Sequence, residues 1–174
     1  MKALVRAAVD HAVANGAKIV EAYPTDPEHF GDGAGEDNRR AMRAFVEGGQ
    51  VPGILAYEGD EPVGWCSVSP RPSLSRLVAE GQFRNPQRPD VWSIICFYVL
   101  ESHHGRGVMK ALVRAAVDHA VANGAKIVEA YPTNPEHFGD GAGGSIPAFE
   151  SAGFREAHRI SPIQVTMRYY VEET

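Results

Sequence analysis

The stretch at residues 91–124, VWSIICFYVLESHHGRGVMKALVRAAVDHAVANG, decides how this chain folds. It opens with the most continuously apolar run of the sequence, at 91–99, which predicts a central strand covered on both faces. The turn Gly105-Arg106-Gly107 follows, and apolar residues at helical spacing over 108–122 predict a helix that ends at Gly124. A strand that passes through such a turn into a helix directs unpaired main-chain N–H groups at one point. The sequence therefore predicts an anion site there.

The glycine turn has the composition of a site for a diphosphate. Gly105 and Gly107 can adopt positive φ and let the main chain approach a ligand closely, while Arg106 and Lys110 add positive charge to the helix dipole. A glycine-rich turn that binds nothing is the alternative reading of the same residues. A P-loop needs four residues between its glycines, and a dinucleotide-binding GxGxxG needs a glycine where Lys110 stands. Neither nucleotide motif fits.

The sequence of residues 1–35 is repeated at 109–143. The two copies are identical at 34 of 35 positions and differ only at Asp26, which corresponds to Asn134. Only the second copy follows the glycine turn, so at most one copy can serve that site. The first copy predicts a helix over 2–15 and a strand over 18–23. Three arrangements are open: strand 18–23 pairs beside 54–58, the copy replaces 109–131 of a neighbouring chain in a homodimer, or it stays mobile.

The rest of the chain alternates between helix and strand patterns. Composition favours a single domain that consists of the repeated segment 1–35 and a core at 36–174. The predicted elements are a helix at 37–48 closed by Gly48-Gly49, strands at 54–58 and 62–69 joined through Gly59-Asp60, a loop at 70–89, a strand at 126–131, an irregular stretch at 132–144, a short helix at 145–152, and strands at 154–160 and 163–171. This order predicts a mixed α/β sheet.

Composition excludes several classes of function. The 174 residues are 44% apolar and 22% charged, and no apolar run approaches the roughly 18 residues that span a bilayer. A net charge of -5 argues against nucleic-acid binding. Cys66 and Cys96 lie in strand-like runs without metal-ligand spacing, which predicts buried free thiols. The absence of a signal-peptide pattern favours a cytoplasmic protein.

The segment from His104 to Met109, HGRGVM, resembles the motif [Q/R]-x-x-G-x-[G/A] of the GNAT superfamily of acyl-CoA N-acyltransferases. His104 and Met109 depart from the motif. The surrounding CFYVLESHHGRGVMKALVRAAVDHA and the later FESAGF at 149–154 keep the register of the family, and the resemblance runs from about residue 37 to 171. It implies a mostly antiparallel sheet flanked by helices, with a V-shaped gap between the fourth and fifth family strands, here 91–99 and 126–131.

The resemblance also implies acetyl-CoA as cosubstrate and direct acyl transfer to a primary amine of a small molecule or peptide, without a metal. The main-chain N–H of Val99 would stabilise the negative charge that develops on the thioester oxygen. The implied cofactor-binding residues are Phe97, Tyr98, Val99, His104, Gly105, Arg106, Gly107, Val108, Met109, Lys110 and Phe149.

Proton transfer suggests the catalytic candidates. Attack requires a neutral amine, and Glu129, on the strand beside the gap, is the first candidate base, with His103 and Glu101 behind it. The family often has a tyrosine acid on the short last helix, where this chain has Phe149, so Tyr131 or water is the candidate acid. The alternative function is a catalytically impaired acyl-CoA-binding or domain-swapped assembly module.

Overall fold

The computed structural model describes residues 4–7, 43, 44, 46–49, 51–74, 78, 85, 87–132, 143–161 and 164–172. Seven strands form one sheet in the order β1-β2-β3-β4-β5-β7-β6. They are β1 (Leu4–Ala7), β2 (Ile54–Glu58), β3 (Glu61–Pro70), β4 (Val91–Val99), β5 (Ile127–Ala130), β6 (Arg155–Ser161) and β7 (Gln164–Tyr170). Every neighbouring pair is antiparallel except β4 and β5. The predicted mixed, mostly antiparallel sheet is confirmed. No helix in the described ranges is long and apolar enough to cross a membrane.

Among the described residues, two helices with complete bounds flank this sheet. Helix α1 (Val108–Ala122) connects β4 to β5, and the short α2 (Ile146–Glu150) precedes β6. Short 3₁₀ turns lie at Arg71–Ser73, within the predicted loop, and at Glu101–His103, before the glycine turn. Helical residues at 43, 44, 46 and 47 end at a turn over 48–49, as the sequence predicted.

Helix α1 packs its apolar stripe on one face of the sheet. Leu112 and Val113 are fully buried in the main core, because apolar residues recur every three or four positions along the helix. Gly64 on β3 makes this close approach possible, since a Cβ there would lie 3.0 Å from Val108 Cγ1 and 3.2 Å from Leu112 Cδ1. The first turn of α1 is therefore pressed against the sheet, which fixes the position of the glycine turn before it.

The N-terminal repeat departs from its predicted structure. Leu4–Ala7, predicted as part of a helix over 2–15, forms β1 and pairs antiparallel with β2. The position beside 54–58 that was one of three open arrangements for strand 18–23 is occupied by 4–7, because β1 and β3 are the two neighbours of β2. The same letters, LVRA, are helical at 112–115. Residues 4–7 form a strand because they pair with the open edge of β2. Residues 112–115 are helical because their apolar side packs on the face of the sheet. Strand 18–23 itself lies outside the described residues.

Candidate active site

The glycine turn leaves main-chain N–H groups free. Gly105 and Gly107 adopt φ of 71° and 82°, and Gly107 caps α1 without a side-chain hydrogen bond. The first hydrogen bond of α1 runs from Ala111 N to Gly107 O, so the N–H groups before Ala111 have no acceptor within the helix. Within the described chain, those of Gly105, Gly107, Val108, Met109 and Lys110 have no acceptor, and we call this group the amide cradle.

Two of the predicted cofactor-binding amides are already engaged. His104 N donates to Glu101 O at 3.1 Å, and Arg106 N donates to His103 O at 3.4 Å. These bonds fold the turn and leave the N–H groups of Gly105 and Gly107 without an acceptor in the described chain. A Cβ at Gly105 or Gly107 would meet no protein atom within 4 Å, so the space beside the cradle is open. Free amides, positive φ and open space together fit a diphosphate.

His103, a predicted catalytic residue, supports the cradle from behind. Its Nε2 lies 2.8 Å from Glu58 Oε2, at the end of β2, and its Nδ1 lies 2.9 Å from Ser102 Oγ. Arg106 Nη1 lies 3.8 Å from the same Glu58 oxygen. The hydrogen bond from His103 is the largest cause that lowers the pKa of Glu58. Both ring nitrogens of His103 are thus occupied.

The register of β4 shows which of its main-chain groups are available. Leu100 N donates to Val63 O at 3.0 Å, and directly opposite residues of an antiparallel pair alternate between bonded and non-bonded pairs. Leu100 and Tyr98 therefore point their main-chain groups at β3, whereas Phe97 and Val99 point theirs away from it. The N–H groups of Phe97 and Val99 face the side where β5 would lie.

Strands β4 and β5 separate after the pair Ile94↔Ala130. Their parallel pairing runs from Val91↔Ile127 to Ile94↔Ala130 and then stops, although β4 continues to Val99. The space beside the unpaired end of β4 is called the β4–β5 gap. The predicted V-shaped gap is confirmed, and its open strand edge leads towards the amide cradle.

Aromatic packing forms one wall of the β4–β5 gap. Phe97 and Phe149 make an edge-to-face contact with ring centroids 5.8 Å apart, and Phe149 is fully buried. A Cβ at Gly144 would lie 2.9 Å from the Phe149 ring and 3.1 Å from Phe97, so a glycine is required for this approach. Phe149, predicted to bind the cofactor, thus supports the wall from inside the core. Tyr98, by contrast, is exposed.

Glu129, the predicted base, lies in a buried ion-pair network. Arg71 and Tyr131 both bond its Oε2, the latter through its hydroxyl at 2.6 Å. Arg168 Nε donates to Oε1 at 2.6 Å. The network includes Ser93, whose Oγ lies 3.1 Å from the Tyr131 hydroxyl. Both carboxylate oxygens of Glu129 are therefore engaged by positive or hydrogen-bond-donating groups.

Tyr131, the predicted acid, lies at the closed end of the β4–β5 gap, because it follows β5 directly and contacts Ser93 on β4. Burial is the main cause that raises the pKa of Tyr131, and the hydrogen bond with Ser93 and the charge of Arg71 partly offset it. The phenol is therefore neutral near pH 7, the form that can donate a proton.

Sequence reasoning missed four contributors to this site. Ser93, Arg71 and Arg168 meet around Glu129, and Glu58 holds His103. Apolar and polar residues alternate along the last strand, and Arg168 is one of the polar ones. The sequence therefore indicated that Arg168 lies on the sheet face opposite the apolar residues of that strand. Its neighbour across the sheet follows only from the strand order, which places β7 beside β5.

Comparison with known proteins agrees with this geometry. The profile of the Acetyltransferase (GNAT) family matches residues 26–154, and the chain belongs to this family. Curated proteins give no significant match. The resemblance inferred from the glycine motif is thereby confirmed at the level of the superfamily.

Solved structures share the fold at low sequence identity. The GNAT domain of S. lividans PAT has a TM-score of 0.60 and 17% identity, over 97% of this chain and 90% of that one. A GCN5-related N-acetyltransferase from Kribbella flavida has a TM-score of 0.58 and 19% identity, over 97% of both chains. An N-acetyltransferase from Staphylococcus aureus Mu50 has a TM-score of 0.58 and 14% identity, over 99% of both chains.

Proposed function

We propose that this chain transfers an acetyl group from acetyl-CoA to a primary amine by direct attack. The observation that carries the proposal is the amide cradle at the mouth of the β4–β5 gap. Its free N–H groups suit a diphosphate, with Arg106 and Lys110 adding positive charge. Pantetheine would lie along the main-chain groups of Phe97 and the N–H of Val99, which point away from β3 beyond the last pair of β4 with β5. Acetyl-CoA supplies the thioester.

The proposed reaction replaces the carbon–sulfur bond of the thioester with a carbon–nitrogen bond. The neutral amine nitrogen bonds to the carbonyl carbon, the carbon–sulfur bond breaks, the nitrogen releases one proton to water, and the leaving thiolate takes up one proton. Negative charge develops on the carbonyl oxygen, and the N–H of Val99, which faces the β4–β5 gap, is placed to stabilise it. Tyr131 is the proposed proton donor to the thiolate, because it is a neutral phenol at the closed end of the gap.

The amine must lose a proton before it attacks. For an alkylammonium this costs about 4 to 5 kcal/mol at pH 7. Glu129 could accept that proton only by weakening its bonds to two guanidinium groups. His103 is bonded at both ring nitrogens. The proposal therefore assigns Glu129 and His103 to positioning, and water carries the proton from the amine.

Two measurements on the purified chain test the proposal. Acetyl-CoA at about 100-fold excess over Kd should stabilise the fold by about 2.7 kcal/mol, a shift of several degrees in Tm. Thiol release should then follow with at least one amine of a broad panel. Stabilisation without thiol release would favour the acyl-CoA-binding or assembly module. If acetyl-CoA neither stabilises the chain nor reacts, both functions are contradicted.

The protein thiols will not disturb a thiol-release assay. Cys66 and Cys96 are buried and are not joined in a disulfide, and burial raises the pKa of Cys66 well above its ordinary value. Neither thiol is exposed as a reactive thiolate in the folded chain. A control without acetyl-CoA should therefore show little thiol reaction until the chain is unfolded by denaturant.

A further inference from the structure

Two guanidinium groups meet at the carboxylate of Glu129 in the described residues. Two guanidinium groups, Arg71 and Arg168, share one carboxylate, which gives the three residues a net charge of one positive unit. The Arg71 and Glu129 side chains are each only 3% exposed, whereas that of Arg168 is 33% exposed.

Arg168 is the member of this network that a ligand can reach. It donates to Glu129 through Nε, which leaves its two Nη nitrogens as donors. Within the described part of the chain, Glu129 is the only acid paired with Arg168, and no other partner is found for its guanidinium. Its side chain is one-third exposed, so the remaining donors can meet a second carboxylate without removing the first.

The position of Arg168 relates it to the site of acyl transfer. Ser93 pairs with Glu129, and Glu129 pairs with Arg168, so the three residues lie side by side on β4, β5 and β7. This row is one residue before the pair Ile94↔Ala130, where β4 and β5 separate. It lies on the sheet face opposite α1, because its neighbours in sequence, such as Ile94 and Met167, pack in the core with α1.

From this charge and position we infer that the acetyl acceptor is a small amine that carries a carboxylate, and that Arg168 binds this carboxylate. The inference rests on the proposed acyl transfer. A guanidinium presents a planar pair of N–H donors that matches the two oxygens of a carboxylate. An ammonium group or an amide group presents no such pair. The carboxylate is unchanged in the reaction. It holds the molecule so that its amine enters the β4–β5 gap.

The test compares amines that differ only in this charge. Each α- or ω-amino acid of a panel is assayed beside its own carboxamide, with rates corrected for the pKa of the amine. In the unmodified chain, kcat/KM should be at least about 10-fold higher for the best amino acid than for its carboxamide. Arg168→Gln should remove this preference and leave stabilisation by acetyl-CoA unchanged. Arg168→Lys should keep part of it. Arg159→Gln, in an exposed ion pair on β6, is the matched control and should keep all of it.

A binding measurement separates this inference from the proposed function. Calorimetry with the N-acetylated form of the best amino acid, or of 4-aminobutyrate if none turns over, should show binding to the unmodified chain and to Arg159→Gln, and loss of binding to Arg168→Gln. If acetyl-CoA fails to bind but this carboxylate still requires Arg168, the proposed transfer is contradicted and the anion site is supported. Equal use of amino acid and carboxamide, or an equal loss of both in Arg168→Gln, would overturn the inference and leave acyl transfer intact. If Arg168→Gln does not fold, the inference is tested with Arg168→Lys and with the ratio of kcat/KM for the amino acid and its carboxamide in the unmodified chain.

Discussion

Nε2 of His104 donates a hydrogen bond to the main-chain oxygen of Val99 across 3.0 Å. Val99 is the last residue of β4, and its carbonyl points away from β3. The bond therefore joins the glycine turn to the strand edge that borders the β4–β5 gap. His104 stands where the family motif has Gln or Arg, and all three side chains can donate a hydrogen bond.

The bond between His104 and Val99 predicts a graded response to substitution. His104→Ala should weaken acetyl-CoA binding about 5- to 10-fold, because about 1 kcal/mol of hydrogen bonding that orders the site is lost. His104→Gln should retain most of the affinity, since its amide can donate to the same carbonyl. Calorimetric titration with acetyl-CoA measures both. His158→Ala, at an exposed position on β6, is the control, and equal affinities for both alanine variants would contradict the role of His104.

The two ends of α1 offer a matched pair of glycine substitutions. Gly107 and Gly124 have φ of 82° and 89°, and a Cβ at either would meet no protein atom within 4 Å. Alanine should cost a similar amount at each, about 1 to 2 kcal/mol, because both positions need the left-handed conformation. Only Gly107→Ala should also weaken acetyl-CoA binding, by at least about 10-fold, since its Cβ would enter the open space beside the amide cradle. Urea unfolding and titration of both variants measure the two effects. Similar affinities would place the diphosphate elsewhere.

The repeated segment shows what sequence could not decide about the fold. The apolar run at 91–99 and the stripe at 108–122 predicted β4 and α1, because both patterns specify burial directly. The letters LVRA carry the same propensity at 4–7 and at 112–115, yet one copy is a strand and the other is helical. Long-range pairing with β2 determines the first, and no local pattern contains that information.

The candidate site also has one part that the sequence predicted and one part that it did not. The glycine turn was predictable because a motif of consecutive residues builds it, and the gap followed from the family resemblance. The network around Glu129 draws Arg71 from the turn after β3, Arg168 from β7 and, through Tyr131, Ser93 from β4, so its assembly depends on strand order and register. The engagement of Glu129 changes its proposed role from base to positioning, which the sequence alone could not indicate.

Neutralising Glu129 should destabilise the chain strongly. Glu129→Gln leaves two guanidinium groups without their shared anion, which should lower the free energy of unfolding by about 3 to 5 kcal/mol. Glu156→Gln, which breaks the exposed ion pair with Arg159, should change it by less than about 1 kcal/mol. Urea unfolding measures both. The double variant Glu129→Gln, Arg168→Gln should recover part of the loss, and strict additivity of the two single effects would contradict coupling between these residues.

Stability at acid pH should depend on Glu58. Its pKa is lowered from 4.5 in the folded chain, mainly by the hydrogen bond with His103. A carboxyl group with a depressed folded-state pKa contributes stability that is fully present above its unfolded pKa and is lost as pH falls through the folded value. Urea midpoints for the unmodified chain and Glu58→Gln should therefore differ above pH 4.5 and converge gradually as the pH falls from 4.5 through the lower folded-state pKa. Parallel pH profiles would show that the Glu58–His103 contact adds nothing to the fold.

Replacing Tyr131 separates proton donation from cofactor binding. Tyr131→Phe removes the hydroxyl between Glu129 and Ser93, which should cost about 1 to 3 kcal/mol of stability because both partners are buried. If this phenol protonates the leaving thiolate, kcat should fall by about 100-fold or more, while stabilisation by acetyl-CoA stays unchanged. Tyr170→Phe, on an exposed tyrosine of β7, controls for the loss of a hydroxyl. A folded Tyr131→Phe variant with full kcat would assign thiolate protonation to water, because the phenyl ring of Phe149 cannot donate a proton.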